Sequence, residues 1–128
     1  MKRVTGIGGI FFKAHNPENM YQWYEKHLGI RRDASKGAGF QWRESENSEQ
    51  EGFTAWAIFP ENTKYFDPSR SNCMINYRVD DLDALLEALK QEGVEIDPKR
   101  ENADYGRFAW IIDPEGNRIE LWEPPKKK

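Results

Sequence analysis

Apolar residues recur with two different periods along the first half of the chain. The stretch RVTGIGGIFFKAH (3–15) is rich in Ile, Phe and Val, a composition typical of a β-strand. In the next stretch, NPENMYQWYEKHLGI, the residues Met20, Trp23, Tyr24 and Leu28 recur at the spacing of one helical face. The pattern therefore predicts a strand followed by an amphipathic helix.

Residues suited to helix ends bound this helix. Asn16 can serve as the N-cap, Pro17 fits the first helical position, and Gly29 fits the position just past the last turn. The predicted helix covers about 17–28. Three strand candidates follow it, near 30–34, 39–44 and 53–59.

The second half repeats this order of elements. CMINYRV (73–79) predicts a strand, and a helix follows with Asp80 or Asp81 as its cap and Gly93 as its stop. The turn DPEG (113–116) has Pro in its second position and Gly in its fourth, as a hairpin connection does. The apolar stripe of the helix is Leu82, Leu85, Leu86 and Leu89, and the last three strands are expected near 94–100, 106–112 and 117–123.

The order strand, helix, three strands is thus written twice, which predicts an α+β protein. The 128 residues suit a single domain, 1–128. Module 1 is expected at about 1–60, a polar linker at 61–72 and module 2 at about 73–124. Each module is expected to bury one face of its sheet under its own helix.

Composition narrows the possible partners. A net charge of −3 argues against nucleic acid or an anionic membrane surface. The chain has no run of about 20 apolar residues, so no membrane span is expected. Five Trp contribute to an aromatic content of 13%, and such residues often line a core or the cavity of a small-molecule ligand.

The cysteine count and the first residues bear on the compartment. Cys73 is the only cysteine, so no intrachain disulfide can form, which fits a reducing environment. The opening MKRVTGIGG lacks the apolar segment of a signal peptide. We therefore expect a cytoplasmic protein.

Three stretches carry a resemblance to a known family: GIGGIFFKAHNPENMYQWYEKHLGI, NYRVDDLDALLEALKQEGVEI and YGRFAWIIDPEGNRIELWEP. The chain resembles the vicinal oxygen chelate superfamily, also called the glyoxalase/bleomycin resistance/dioxygenase superfamily. The most specific pieces are WYEKHLGI and DPEGNRIELWEP. The resemblance implies two βαβββ modules in one chain that form a curved mixed-sheet cavity. It leaves the activity open, because isomerases, lyases, dioxygenases, thiol transferases and drug-binding proteins share this scaffold.

In metal-using members, four side chains from the first and last strands of the two modules hold a divalent ion. Counted onto this chain, the four places are Gly9, Trp56, Met74 and Glu120. Glycine has no side chain, the indole N–H only donates, and a thioether is too soft for zinc, iron or manganese. One carboxylate does not replace the roughly three protein ligands of a catalytic metal site. No metal and no other cofactor is therefore expected, and shifting a strand by one residue brings in only Gly8, Ile10, Ala55 or Ala57.

Without a metal, the resemblance implies an aromatic cavity with a few polar anchors. Strand alternation puts Arg118, Glu120 and Trp122 on one face, and Met74, Asn76 and Arg78 on the matching face of another strand. The alternative is that the aromatic residues only fill the core. The expected walls are Phe11, Trp42, Trp56, Phe108, Trp110 and Trp122, and the expected anchors are Asn76, Arg78, Arg118 and Glu120.

Glu120 has three possible roles. It could be a former ligand position that now pairs with Arg118 or Arg78, it could bind a ligand's amine or hydroxyl, or it could act as a general base. The first hypothesis for the protein is metal-free binding of a small aromatic or charged molecule. The alternative is a glyoxalase-like lyase or isomerase, or a dioxygenase, that uses a divalent metal or Glu120 as its base. In either case we expect a homodimer.

Overall fold

The structure is a computed structural model, and it describes residues 2–33, 36–45 and 47–126. The elements follow the predicted order closely. They are β1 (Val4–Ala14), α1 (Pro17–Leu28), β2 (Ala38–Arg43), β3 (Glu51–Pro60), β4 (Cys73–Val79), α2 (Leu82–Gln91), β5 (Glu95–Ala103), β6 (Gly106–Ile112) and β7 (Arg118–Glu123).

All of these strands belong to one sheet, in the order β2-β3-β1-β4-β7-β6-β5. The two modules meet where β1 and β4 pair antiparallel. The first and last strands of each module pair parallel, β1 with β3 and β4 with β7. Because β2 and β5 remain at the edges, the sheet is curved and open rather than a closed barrel. The α+β class and the paired-module architecture are confirmed.

The short strand predicted near 30–34 is wrong for residues 30–33, which lie outside every strand, while residue 34 lies outside the described residues. The end of α1 explains the difference. Gly29 is left-handed (φ 70°) and donates its N–H to the carbonyl of Glu25, and the Ile30 N–H bonds the carbonyl of Tyr24. Ile30 also packs into the apolar cluster beneath α1. This segment therefore completes the helix C-cap instead of pairing with a strand.

Each helix covers one half of the same sheet face. The cap of α2 is Asp81, whose carboxylate accepts the N–H of Ala84 at 3.0 Å. The leucines of α2 form a cluster with β4, β6 and β7 that contains Val79, Leu82, Leu85, Leu86, Ala109 and Leu121, with Tyr77 and Ile119 packed against it. The cluster under α1 contains Ala14, Ala38, Trp56 and Ile58, with Phe12, Met20, Tyr21, Tyr24 and Ile30 around it.

A third cluster lies on the opposite face of the sheet. Phe66, Met74 and Trp110 are buried there, and Phe66 belongs to the linker between the modules. Burying a side chain of this size contributes about 1.5–3 kcal/mol. No helix in the described part of the chain is both long and apolar enough to cross a bilayer.

Candidate functional site

Strand pairing brings residues from neighbouring strands level with Glu120. Asn76 of β4 and Trp110 of β6 stand directly beside it. Gly9 of β1 pairs with Asn76, and Ala55 of β3 pairs with Gly9. The row contains Gly9 and Glu120, two of the four places that the family resemblance assigns to metal ligands.

Glu120 is 2% exposed, and both of its carboxylate oxygens accept hydrogen bonds. The Asn76 amide donates to Oε1 at 2.6 Å, and the Trp110 indole donates to Oε2 at 3.0 Å. The Tyr65 hydroxyl also donates to Oε2. We call these four residues the covered site. Its three donors are neutral, and together they replace the hydration that a buried carboxylate loses.

The linker covers this site. Tyr65 stacks on Phe59 with ring centroids 5.5 Å apart, and the next residue, Phe66, is fully buried against Met74 and Trp110. Burial, followed by the negative charge of Glu120, raises the pKa of the Tyr65 phenol well above its usual value. Tyr65 therefore stays protonated and donates to Glu120 across the pH range in which proteins function.

The residues of the covered site do not fit a divalent metal ion. The indole nitrogen has no lone pair to offer a metal, and the phenol oxygen, which keeps its proton, is a poor ligand. Asn76 Oδ1 is a buried acceptor with no hydrogen-bond partner among the described residues, so at most an amide oxygen could join the carboxylate. Two oxygen ligands are fewer than a protein metal site uses. In the described ranges, no three His, Cys, Asp or Glu residues group closely enough to hold a metal.

Of the predicted cavity residues, one lies on the other face of the sheet and another is part of the core. Trp56 packs beneath α1, with its ring 5.8 Å from Tyr21 and 5.1 Å from Tyr24, so its assignment as a cavity wall is wrong. The register explains the error, because Ala55 pairs with Gly9 and the next residue must point to the opposite face. Met74 lies on the predicted face but is 1% exposed in the core, and Asn76 takes the place beside Glu120.

The predicted pairing of Glu120 with an arginine is also wrong. Arg118 donates to the backbone carbonyl of Tyr65 at 2.7 Å and lies 3.4 Å from Asp97, and Arg78 pairs with Glu44. Glu120 instead receives its hydrogen bonds from Tyr65 of the linker, Asn76 of β4 and Trp110 of β6. Phe11, which packs on Phe59, also belongs to this end of the sheet.

The sequence analysis missed Tyr65 and Phe66. The signal for them is the pair of adjacent aromatic residues in an otherwise polar linker, ENTKYFDPSRSN (61–72). Neither residue belongs to a periodic pattern, so periodicity could not assign them to the core.

The same face is open at the other end of the sheet. A cleft of about 890 Å³ lies between the β2–β3 hairpin and the ends of β4 and β7. Arg78 and Trp122 each stand two residues beyond the covered site on β4 and β7, and they pair with each other. The residues that line the cleft include Trp42, Phe53, Arg78 and Trp122, with the charged residues Arg43, Glu51, Asp80, Glu123 and Lys126 around them.

Arg78 forms the cationic wall of the cleft although it is only 4% exposed. Its Nε donates to the Thr5 hydroxyl at 2.8 Å, and one terminal nitrogen donates to the Glu51 carbonyl at 3.2 Å. The other terminal nitrogen forms an ion pair with Glu44. The guanidinium carbon lies 5.0 Å from the centre of the Trp42 ring, within the range of a cation–π contact.

Glycines in β1 allow the indoles to lie against the strand. A Cβ at Gly6 would come within 2.1 Å of the Trp42 ring, and a Cβ at Gly8 within 2.8 Å of the Trp122 ring. Any larger residue would displace these rings. The glycines of the sequence TGIGG therefore shape the cleft, because they leave room for the two indole rings.

Phe108 connects the two ends of the face. Its ring is stacked on Trp110 of the covered site and on Trp122 of the cleft, with centroids 6.5 Å away in both cases. Of the predicted site residues, Trp42, Arg78 and Trp122 therefore line the cleft, and Phe11, Met74, Asn76, Phe108, Trp110, Arg118 and Glu120 pack toward the covered site.

Solved structures share this fold at low sequence identity. Methylmalonyl-CoA epimerase from Mycobacterium tuberculosis has 20% identity and a TM-score of 0.61 over 98% of this chain and 92% of its own. A variant of the Streptomyces coelicolor methylmalonyl-CoA epimerase in complex with 2-nitronate-propionyl-CoA has 16% identity and a TM-score of 0.68, over 96% and 99%. A Legionella pneumophila structure described as an NAD-dependent benzaldehyde dehydrogenase has 14% identity and a TM-score of 0.59, over 91% and 98%.

At these identities, the likeness concerns the fold alone. No curated protein is similar enough in sequence to count as a match. The model of one family, however, matches residues 7–121, which include both modules and the linker between them. The chain therefore belongs to the Glyoxalase/Bleomycin resistance protein/Dioxygenase superfamily.

Proposed function

We propose that the protein binds a small planar aromatic molecule in the cleft and does so without a metal ion. The observation that carries this proposal is the composition of the cleft, where the guanidinium of Arg78 lies over the Trp42 ring and Trp122 stands beside Arg78 on the paired strand. Ligand sites of this size are mostly apolar and contain a few oriented polar groups. An indole ring offers a flat surface for stacking, and Arg78 offers a fixed polar contact.

The covered site supports the second half of the proposal. A ligand would have to displace Tyr65 and Phe66 to reach Glu120, and it would also have to break hydrogen bonds to a buried carboxylate. Leaving such a group without partners costs about 1–3 kcal/mol or more. The cleft needs no such rearrangement.

The alternative is an enzyme, a glyoxalase-like lyase or isomerase or a dioxygenase. The structural similarity to methylmalonyl-CoA epimerases is the observation that supports an enzyme as the alternative. Its metal-dependent form conflicts with the donors around Glu120, and its metal-free form needs a Glu120 that reaches substrate as a base. The described contacts favour binding over either form.

Tryptophan fluorescence tests the proposal. Planar aromatic compounds should quench it saturably, with equal affinity in the presence and absence of a chelator, and elemental analysis should find no stoichiometric metal. Trp42→Phe and Trp122→Phe should weaken binding about fivefold or more, as expected for the loss of a stacking surface. The control is Trp23→Phe, because Trp23 is 51% exposed on α1, outside the cleft.

A tightly held divalent ion, or quenching that disappears with chelator, would overturn metal-free binding. Equal affinities in all three tryptophan variants would remove the cleft from the proposal.

We also propose that the protein acts as a cytoplasmic homodimer without nucleic-acid or membrane partners. Support for a dimer comes from exposed apolar side chains on α1, where Trp23 and Leu28 are 51% and 59% exposed. Light scattering of the purified protein should give twice the 15.0 kDa chain mass. A single-chain mass at all concentrations would contradict it.

A further inference from the structure

We propose that Glu44 is an internal substitute for the carboxylate of an aromatic acid, and that such a ligand displaces Glu44 from Arg78 when it enters the cleft. This inference rests on the proposed function and names its ligand class. It starts from the Arg78–Glu44 ion pair, which is buried at the wall of an otherwise open cleft.

The pair uses only part of what Arg78 offers. Among the described residues, Arg78 donates once each to Thr5, Glu51 and Glu44, which accounts for three of the five N–H groups of a guanidinium. Glu44 contacts Arg78 through Oε1 alone. A ligand carboxylate that engaged two N–H groups would form the stronger bidentate arrangement.

The position of Glu44 permits the exchange. Glu44 directly follows β2, in the turn that leads to β3, and its side chain is 13% exposed against 5% for Arg78. It can therefore rotate toward water while Arg78 stays fixed by Thr5, Glu51 and the Trp42 ring. Since one carboxylate replaces another, the buried guanidinium is never left without a counter-charge, which would be costly.

The contacts of Arg78 favour a carboxylate as the charged group of the ligand. The other charged residues that line the cleft are of both signs, Glu51, Asp80 and Glu123 with Arg43 and Lys126, so they add no strong preference of their own. Arg78 already accommodates a carboxylate, that of Glu44. The rings of Trp42 and Trp122 add a preference for an aromatic body.

Calorimetric titration of the full chain with 2-naphthoate and its neutral analogue 2-naphthamide tests the inference. Glu44→Gln removes the competing charge and keeps the side-chain shape, so 2-naphthoate should bind about tenfold more tightly if Glu44 occupies Arg78 nine-tenths of the time. The affinity for 2-naphthamide should not change. The matched control is Glu49→Gln, an exposed carboxylate in the same turn, which should leave both affinities as they are.

Arg78→Lys is the second arm, and it decides the matter if Glu44→Gln does not fold. Lysine keeps the charge and loses the planar fork, so the affinity for 2-naphthoate should fall about tenfold, and by clearly more than the affinity for 2-naphthamide.

Weaker binding of 2-naphthoate to the folded Glu44→Gln variant would show that Glu44 supports the cleft, and it would overturn the inference. An unchanged affinity for 2-naphthoate in both Glu44→Gln and Arg78→Lys would also overturn the inference. If 2-naphthamide still bound in that case, the proposed function would stand. Failure of both compounds to bind the wild-type protein would overturn the inference and the proposed function together.

Discussion

The covered site and the cleft are two ends of one sheet face, and they treat a buried charge in opposite ways. At the covered site, Glu120 is surrounded by neutral donors and closed off by the linker. At the cleft, Arg78 is held by an ion pair and an aromatic ring beside open space. The two charges stand only two residues apart along paired strands.

The difference teaches that the family's metal site and the proposed ligand site of this chain need not coincide. The linker aromatics reach one end of the face and turn it into core, with Phe66 at 0% exposure. They leave the other end free, and the glycines of β1 widen it. Under the proposed function, the side chains that meet the ligand are therefore those at the cleft.

Truncation of Phe66, which closes the covered site, should have the largest effect of the substitutions considered. Phe66→Ala leaves a cavity over Met74 and Trp110, and we expect a loss of about 3–5 kcal/mol in the free energy of unfolding. Urea denaturation measures it. Phe40→Ala, at a side chain that is 47% exposed, should cost about 1 kcal/mol or less. A similarly small loss for Phe66 would mean that the linker does not close the covered site.

Glu120→Gln should separate stability from binding. The amide has one acceptor oxygen for three donors, so we expect a loss of about 2 kcal/mol in stability. Ligand affinity in the cleft should stay within about twofold, because Glu120 takes no part in it. Glu115→Gln, in the exposed turn before β7, is the control for the charge change alone. Lost binding at unchanged stability would assign Glu120 an active role.

Gly6→Ala should act on the cleft instead. The new Cβ would meet the Trp42 ring at 2.1 Å, so the indole must move away from its position against Arg78. We expect aromatic ligands to bind about fivefold more weakly, or about 1 kcal/mol. The control is Val4→Ala, at an exposed position of the same strand. Unchanged affinity would mean that Trp42 is not part of the binding surface.

The covered site should also affect how stability depends on alkaline pH, and this effect should be smaller than those of the substitutions above. Because burial raises the pKa of Tyr65 in the folded state, the unfolded chain loses this proton first. The stabilisation is therefore complete below the usual tyrosine pKa of about 10 and is lost as the pH rises above it. The free energy of unfolding, taken from denaturation curves between about pH 9 and 11, should fall less steeply with pH for Tyr65→Phe than for wild type. Tyr105→Phe, at an exposed tyrosine, should behave as wild type does.

The sequence predicted most of the fold because the relevant signals are local. Helical spacing, caps at Asn16 and Asp81, and the stops at Gly29 and Gly93 all act within a few residues. Alternation also assigned Arg118, Glu120 and Trp122 of β7 to one face, and the residues between them, Ile119 and Leu121, pack on the opposite face under α2. These patterns were sufficient for the order of elements and for the separation of the two sheet faces.

The site was harder to predict because it depends on register and on distant contacts. Counting residues along β1 cannot detect the register shift in its pairing with β4 between Ile7 and Gly9. On β3, a counting error of one residue assigned Trp56 to the wrong face of the sheet. The contact of Tyr65 with Glu120 joins residues 55 positions apart. No local period encodes such a contact, so the covering of the family's metal place could be found only in the structure.

The indole N–H signals of a two-dimensional NMR spectrum test the central claim most directly. The five tryptophans each give one signal, which the Trp→Phe variants assign. On addition of 2-naphthoate, the account predicts that the signals of Trp42 and Trp122 shift while that of Trp110 stays in place. A shift of Trp110 with Trp42 and Trp122 unchanged would place the ligand at Glu120 and contradict the account.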